Sequence, residues 1–368
     1  MTCIVACGDV AVRRLEPASI FAGCREALEA ADLCFAQVEA TISERGAKAP
    51  NARLAMRAPV AMAIALREAG IDVVSVAGNH CLDFGYEALT DTLQHLADAG
   101  VAACGAGKDL SAALEPAWCQ AGAHRVAVIA ACSILPEGYA AGPGKPGCAP
   151  MRAFTVYQPI EPDQPGTPPR TLSFPHGQDL DALVARVRAA RKLADCVLVS
   201  LHWGIHMVPF ALADYQSIVA HALIDAGADA ILGHHPHLLK GVELYRGRPI
   251  FYSLGNFAIE QPHIWDPMIL ESSSFLHLVS LHPHWDLARH YMLPERTRAT
   301  GLAKLIFAAD GSLGCRFSPA WIEDDSAPRM LRAADSRFHE VRAFLEESSR
   351  AGGFATRFEI EGDDLVLA

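Results

Sequence analysis

Residues 233–237 place three histidines, His234, His235 and His237, directly after the largely apolar run of residues 228–232. Such a run is typical of a buried strand, and the end of a strand can project side chains into a cleft. Neutral imidazole is a common ligand of transition metals in proteins. The spacing therefore predicts part of a metal site, whose other ligands must come from elsewhere in the sequence.

Polar residues also follow several other predicted strands. The carboxyl ends of strands in an open α/β sheet lie along one edge, so residues far apart in the sequence can meet there. Carboxylates, an amide and imidazoles together favour zinc, manganese, iron, nickel or cobalt over calcium, which prefers oxygen ligands. The residues at these strand ends are Asp9, Glu39, Asn79, His80, His202, His235 and His237.

Composition excludes several classes of function. The chain has 368 residues, of which 51% are hydrophobic, so it can form one large domain or two modest ones. The net charge of −11 and the lack of a long Lys/Arg cluster argue against nucleic acid as a partner. No apolar run reaches the roughly 18 to 20 residues that span a bilayer. The N-terminus lacks the pattern of a secretory signal, and the 11 cysteines form no CxxC pair, so we expect a cytoplasmic protein.

Strands alternate with amphipathic helices along most of the chain, which is typical of an α/β fold. One long segment, residues 136–177, interrupts this alternation and is rich in proline and glycine. We interpret it as a surface excursion over or beside the site, with an inter-domain linker as the alternative. The predicted strands are 3–7, 33–38, 72–77, 126–131, 196–201, 230–232 and 249–254, and the predicted helices are 21–31, 60–69, 86–99, 179–193, 215–226 and 337–350.

A series of short motifs occurs in a fixed order over residues 3–260. The motifs are Gly8-Asp9, Val38-Glu39, residues 70–75 leading to 79–85, residues 200–204, 226–229, 233–237 and 251–257. By these motifs the chain is identified as a member of the CapA family of capsule, or poly-γ-glutamate, synthesis. That family is similar to the calcineurin-like metallophosphoesterases.

The resemblance implies a four-layer α/β/β/α sandwich with a two-metal centre at one edge. Residues 1–270 would form the catalytic domain, including the excursion at 136–177. Residues 271–368 would supply strands and a helix that complete the sandwich, without forming an independent domain.

The resemblance also implies a role for each residue at the site. One or two divalent transition-metal ions, Mn, Zn, Fe or Co, would be the cofactors. His80 would face the substrate, and Asp83 would orient His80. The implied ligands are Asp9 and His237 for the first metal, Glu39 as a bridge, and Asn79, His202 and His235 for the second metal.

Two positions depart from the pattern. Phosphoesterases usually have Asp-x-His at the first motif, but here Ala11 takes the place of the histidine, so the first metal would have one ligand fewer. The capsule family often has a glutamate where this chain has His206. His206 could be a substitute ligand, a catalytic base or a solvent-facing residue, and the sequence leaves these alternatives open.

Five further residues are predicted to bind the substrate, which we expect to be a small molecule or a peptide. Two of them lie in the segment 261–270, whose aromatic, aliphatic and imidazole groups could line a pocket or could form a packed loop. The five residues are Trp203, His234, Asn256, His263 and Trp265.

Together these features predict a metal-dependent hydrolase. Metal-bound hydroxide would attack a phosphoester, ester, lactone or amide, and His80 would protonate the leaving group. In one alternative, the metal polarises a carboxylate or amide while His80, His206 or Asp9 removes an α-proton, which gives epimerisation or elimination. In the other, the chain is a non-catalytic accessory protein of poly-γ-glutamate or envelope polymer synthesis.

Overall fold

Two β-sheets carry most of the chain. The computed structural model describes residues 1–262, 265–308 and 312–368. The strands, in chain order, are β1 (Thr2–Ala11), β2 (Leu33–Val38), β3 (Thr41–Ile42), β4 (Arg57–Ala58), β5 (Val73–Ser75), β6 (Ala102–Cys104), β7 (Ala106–Gly107), β8 (Ala117–Ala121), β9 (His124–Cys132), β10 (Gly147–Cys148), β11 (Ala153–Gln158), β12 (Arg170–Pro175), β13 (Cys196–His202), β14 (Ala230–His234), β15 (Val242–Tyr245), β16 (Arg248–Phe251), β17 (Asn256–Ile259), β18 (Ala299–Phe307), β19 (Leu313–Ile322), β20 (Pro328–Met330), β21 (Phe358–Glu361) and β22 (Asp364–Leu367).

Helices connect many of these strands. None of them, within the described parts of the chain, is long and apolar enough to cross a lipid bilayer. The α-helices are α1 (Arg25–Glu29), α2 (Ala61–Glu68), α3 (Gly85–Asp98), α4 (Leu110–Ala113), α5 (Gly177–Arg191), α6 (Asp214–Asp225), α7 (Pro267–Leu270), α8 (Ser273–Leu281) and α9 (Ser336–Ala351), and short 3₁₀ helices span Pro17–Phe21 and Glu295–Arg298.

The larger sheet has the strand order β21-β22-β19-β18-β1-β2-β5-β6, with β17 also paired to β1 and β20 to β19. The smaller sheet has the order β15-β16-β14-β13-β9-β8. In the larger sheet β1, β2, β5 and β6 run parallel, and in the smaller sheet β9, β13, β14 and β16 run parallel. Each sheet therefore presents a row of carboxyl ends at one edge, as predicted for ligand binding.

Alternating side chains along the strands show how the layers pack. On β9, Val126 and Val128 belong to the core that the two sheets share, whereas Ala127 and Ile129 pack in a second core with apolar residues of α5 and α6. This period-two pattern means that the smaller sheet is covered on both faces. Helices α2 and α3 bury their apolar faces in the core of the larger sheet. The predicted four-layer α/β/β/α sandwich is confirmed.

The C-terminal strands join the larger sheet. Strand β18 pairs antiparallel with β1, and β19 pairs antiparallel with β18. Helix α9 contacts both of these strands and also β15 of the smaller sheet. Residues after 298 therefore extend the sheet that carries Asp9.

One predicted helix is wrong. Instead of a continuous helix over residues 21–31, the chain forms a 3₁₀ helix that ends at Phe21 and the short helix α1. Gly23 separates them and packs closely under β20, since a Cβ at this position would lie 2.7 Å from the carbonyl oxygen of Pro328. Glycine is also a poor helix former, and both factors favour a break here.

The proline- and glycine-rich segment 136–177 contains regular structure. Strand β10 pairs with β7, and β11 and β12 form a hairpin. The hairpin is fastened to α6 through the backbone N–H of Ser173, which donates to Asp214 at 2.9 Å. At the other end of the segment, the buried Tyr139 reaches Asp83. The segment thus packs along the sandwich and begins beside the residues predicted to be catalytic.

Gly8 allows the close backbone approach that places Asp9. A Cβ at Gly8 would lie only 2.1 Å from the carbonyl oxygen of Gly255, and the N–H of Asp9 donates to that same oxygen at 2.9 Å. We expect Gly8→Ala to lower the free energy of unfolding by about 1–3 kcal/mol through overpacking, measured by urea unfolding. Gly314→Ala is the matched control, because its nearest non-neighbouring atom is 3.8 Å away. Equal destabilisation by the two substitutions would contradict this account.

Candidate metal centre

The carboxyl ends of strands from both sheets bring the predicted metal-binding residues together. Glu39, His202 and His235 form one group, and Asp9, Glu39 and His237 form a second. In each group the oxygen and nitrogen atoms that could bind a metal all lie within 4.8 Å of one another. Glu39 belongs to both groups and lies where a bridging carboxylate would be.

Glu39 is almost fully buried, with 1% of its surface exposed. Its Oε1 lies 3.4 Å from His202 Nε2, and its Oε2 lies 3.7 Å from His237 Nδ1. Burial and the nearby carboxylates of Asp9 and Asp83 raise the pKa of Glu39 well above its usual value. Oε1 has no hydrogen-bond partner among the described residues. A buried carboxylate without a donor is costly, and a bound cation would remove that cost.

Asp9 is also fully buried, but it is hydrogen-bonded. Its Oδ1 is 3.0 Å from His234 Nδ1, and its Oδ2 accepts from the backbone N–H of His235 at 3.1 Å. Burial acts to raise the pKa of Asp9, yet the hydrogen bond with His234 lowers it overall. Asp9 is therefore held as a carboxylate, the form that binds metals.

His202 and His235 lie side by side, with ring centroids 5.0 Å apart. Burial lowers the pKa of His202 to about 3 and the pKa of His235 well below its usual value, with contributions from neighbouring imidazoles. Both rings are therefore neutral at pH 7, as metal ligation requires. His202 Nε2 is 2.6 Å from Asn79 Oδ1, so the predicted amide ligand adjoins the same group. His235 Nδ1 is buried with no partner in the described structure, and it is free to bind an ion.

His237 is oriented by Asn256. Its Nδ1 lies 2.7 Å from Asn256 Oδ1, while the Asn256 amide nitrogen donates to the Tyr291 hydroxyl at 3.2 Å. The contact with Tyr291 fixes the amide so that its oxygen faces the imidazole, and Asn256 thereby restrains the orientation of the His237 ring. Partners of this kind commonly orient metal-binding histidines. Both His235 (φ 93°) and His237 (φ 56°) adopt positive φ values, which are uncommon for residues other than glycine.

His80 forms a pair with Asp83. His80 Nδ1 lies 2.6 Å from Asp83 Oδ2. The same carboxylate accepts from the backbone N–H of Met56 at 2.7 Å and from the Tyr139 hydroxyl at 3.2 Å. Sequence patterns do not indicate Tyr139, because it lies in an irregular segment 56 residues from Asp83.

His206 is close to both groups without belonging to either of them. Its ring centroid lies 5.3 Å from that of His235 and 5.2 Å from that of His237. The side chain is half-buried. Burial, together with the imidazoles of His237 and His80, lowers the pKa of His206 to about 3, so this ring is also neutral.

The residues predicted to bind substrate lie in different surroundings. Trp203, His234 and Asn256 are fully buried. Trp203 stacks on Tyr252 and donates its indole N–H to the carbonyl oxygen of that residue at 3.0 Å. Trp265 packs edge-on against Phe275 and Trp285, and His263 lies outside the described residues. None of the three buried side chains is open to a substrate in this structure, and His234 and Asn256 instead contact predicted ligands.

Asn256→Ala should weaken metal binding, because His237 would lose the partner that orients its ring. We expect the affinity for Mn²⁺ or Co²⁺, measured by isothermal titration calorimetry, to fall about 10- to 100-fold. Asn51→Ala is the control, because Asn51 is exposed and its amide donates only to the carbonyl oxygen of Glu137. Equal affinity in the two variants would contradict the proposed role of Asn256.

Comparison with known proteins identifies the family. The sequence profile described as "Bacterial capsule synthesis protein PGA_cap" matches residues 3–261. A Mycobacterium tuberculosis protein named "Probable polyglutamine synthesis accessory protein" is 34% identical over 231 residues, which cover 62% of this chain and 55% of the relative. The "PGA biosynthesis protein CapA" of Bacillus subtilis is 32% identical over 197 residues, which cover 53% of this chain and 44% of the relative.

The chain spans about half the length of these curated relatives. Among solved structures, the calcineurin-like phosphoesterase YfkN from Bacillus subtilis aligns over 95% of this chain and 96% of its own, with a TM-score of 0.42 and 12% identity. The family profile covers more than two thirds of the sequence, and its range contains both groups of buried potential ligands. The chain belongs to the bacterial capsule synthesis protein family PGA_cap.

Proposed function

We propose that this chain is a metal-dependent hydrolase that cleaves a phosphoester, ester, lactone or amide in a small molecule or a peptide. One observation carries the proposal: two buried groups of potential ligands share the carboxylate of Glu39, whose Oε1 has no hydrogen-bond partner in the described structure. Two ligand sets that share a carboxylate could hold two ions close together, as two-metal hydrolytic sites do.

The residues present fit divalent transition-metal ions. Asp9, Glu39 and His237 would hold one ion, and Glu39, His202 and His235 would hold the other, with Asn79 beside them. Imidazole and carboxylate donors of this kind suit Mn, Zn, Fe or Co. When bound, such ions supply Lewis acidity for a phosphoryl or carbonyl oxygen and make water a usable nucleophile at neutral pH.

His80 would handle the proton of the leaving group. Asp83 binds the Nδ1 side of the ring, which directs Nε2 away from Asp83. Met56 and Tyr139 in turn hold the Asp83 carboxylate, so the imidazole has little freedom to rotate. A histidine held in this way can deliver a proton from Nε2 to the leaving-group atom as its bond to phosphorus or carbon breaks.

A second candidate function is supported by the names of the relatives. The Mycobacterium tuberculosis relative is named as a synthesis accessory protein, and the Bacillus subtilis relative as a biosynthesis protein. In this alternative the chain keeps the fold and its ligand groups but binds a partner or a polymer of poly-γ-glutamate synthesis without catalysing a reaction. The two candidates differ in whether the metal-loaded protein turns over any substrate.

Substitutions at His235 and His80 separate metal binding from proton transfer. We expect His235→Ala to lose most of one ion and all activity, because it removes a ligand. We expect His80→Ala to retain the metal while kcat falls about 10²- to 10⁴-fold, the usual contribution of a general acid. Metal content would be measured by plasma mass spectrometry, and activity with panels of phosphate esters, carboxylic esters and amides. His221→Ala is the control, because His221 pairs with Glu243 outside both groups.

Three results would contradict the proposal. Wild-type protein that takes up no Mn²⁺, Co²⁺ or Zn²⁺ would remove its basis. Metal-loaded protein that is inactive on every substrate class would favour the accessory function. Deuterium incorporation at a substrate α-carbon without bond cleavage would indicate an epimerase instead.

A further inference from the structure

Lys240 is an unusual lysine, because only 1% of its surface is exposed. Burial lowers its pKa to about 7, and no carboxylate in the described parts of the chain forms an ion pair with it. The side-chain nitrogen donates to two backbone carbonyl oxygens instead, those of Val208 and of Ala211, the latter at 3.0 Å. A buried amine without a counter-ion is costly to the fold. The two hydrogen bonds of Lys240 therefore matter mainly for the segment that they hold in place.

They hold residues 204–213, which connect β13 to α6 and which we term the His206 loop. Other contacts also hold the loop. The N–H of Met207 donates to the carbonyl oxygen of Pro236 at 3.0 Å, and the carbonyl oxygen of Met207 lies 2.8 Å from His282 Nε2. Met207 (φ 51°) and Phe210 (φ 61°) both adopt the left-handed region. This region is unfavourable for residues that carry a side chain, so the loop needs external contacts to keep its shape.

The shape of the loop determines where His206 points. Its ring lies 5.3 Å from His235 and 5.2 Å from His237, which are in different ligand groups. These distances are close to the 5.0 Å between His202 and His235 within one group. His206 is more exposed than either neighbour, so it lies on the open side of the candidate metal centre. A substrate atom bound between the two groups would lie against it.

We propose that Lys240 is a positioning residue that holds the His206 loop so that the imidazole of His206 donates a hydrogen bond to the substrate. This inference rests on the proposed function, because it places a substrate at the shared Glu39. In this inference His206 faces the substrate. It does not replace the metal-binding histidine that is missing at position 11, where this chain has Ala11.

The first test measures the loop and does not depend on activity. Hydrogen–deuterium exchange followed by mass spectrometry should show faster exchange over residues 204–213 in Lys240→Met than in the wild type. Lys304→Met is the matched control, because Lys304 pairs with Asp364 and lies on β18 opposite Val5, so the substitution should leave that exchange unchanged. Lys240→Gln, which retains a donor with a shorter reach, provides a second variant if Lys240→Met does not fold. Unchanged exchange in the folded variant would overturn the role of Lys240.

The second test asks whether Lys240 acts through His206. With the substrate found by the panels above, we expect His206→Ala and Lys240→Met each to raise KM about 10-fold with metal content unchanged, as for one lost hydrogen bond. The double variant should be no worse than His206→Ala alone. Independent, multiplying effects would overturn the coupling, and loss of metal from His206→Ala would identify His206 as a ligand instead.

The outcomes distinguish this inference from the hydrolase proposal. If the wild type is inactive on every panel, the hydrolase proposal fails, and with it the substrate contact of His206, while the exchange measurement still decides whether Lys240 holds the loop. If the wild type is active and neither variant changes KM, only the present inference fails.

Discussion

The burial of the Glu39 carboxylate is the constraint on which the rest of the site depends. Water has almost no access to this group, one of its oxygens lacks a donor in the described structure, and Asp9 adds a second buried carboxylate nearby. Neutral imidazoles surround the pair, and their own pKa values are lowered by the same burial. Such a collection of acceptors is unfavourable alone and becomes favourable when cations bind among them.

The fold positions the candidate ligands, and hydrogen bonds from residues behind them orient their side chains. Strand ends from both sheets bring carboxylates and imidazoles to one place, and the close approach of Gly8 to Gly255 fixes the backbone at Asp9. Behind the ligands, His234 holds Asp9 and Asn256 holds His237. Partners of this kind fix the orientation of the ring and raise the basicity of the ligand. They therefore matter to metal affinity nearly as much as the ligands.

The sequence indicated the candidate ligands more readily than the residues that contact and support them. Asp9, Glu39, His202 and His235 follow apolar runs, and the rule that parallel strands share an edge was enough to bring them together. Tyr139 and Lys240 could not be found in this way, because each acts through a contact between irregular segments that leaves no periodic pattern. Asn256 was predicted to bind the substrate. In the structure it is buried and contacts His237, a candidate ligand. The break at Gly23 depended on close packing against β20, a tertiary contact that local helix periodicity does not contain.

The measurement that tests the central claim most directly is anomalous diffraction from crystals of the protein grown with Mn²⁺. The account predicts two peaks about 3.5–4 Å apart, with the Glu39 carboxylate between them, Asp9 and His237 beside one peak and His202 and His235 beside the other. A crystal grown with Mn²⁺ that shows no anomalous peak at Glu39, or shows manganese bound only elsewhere on the molecule, would contradict the account.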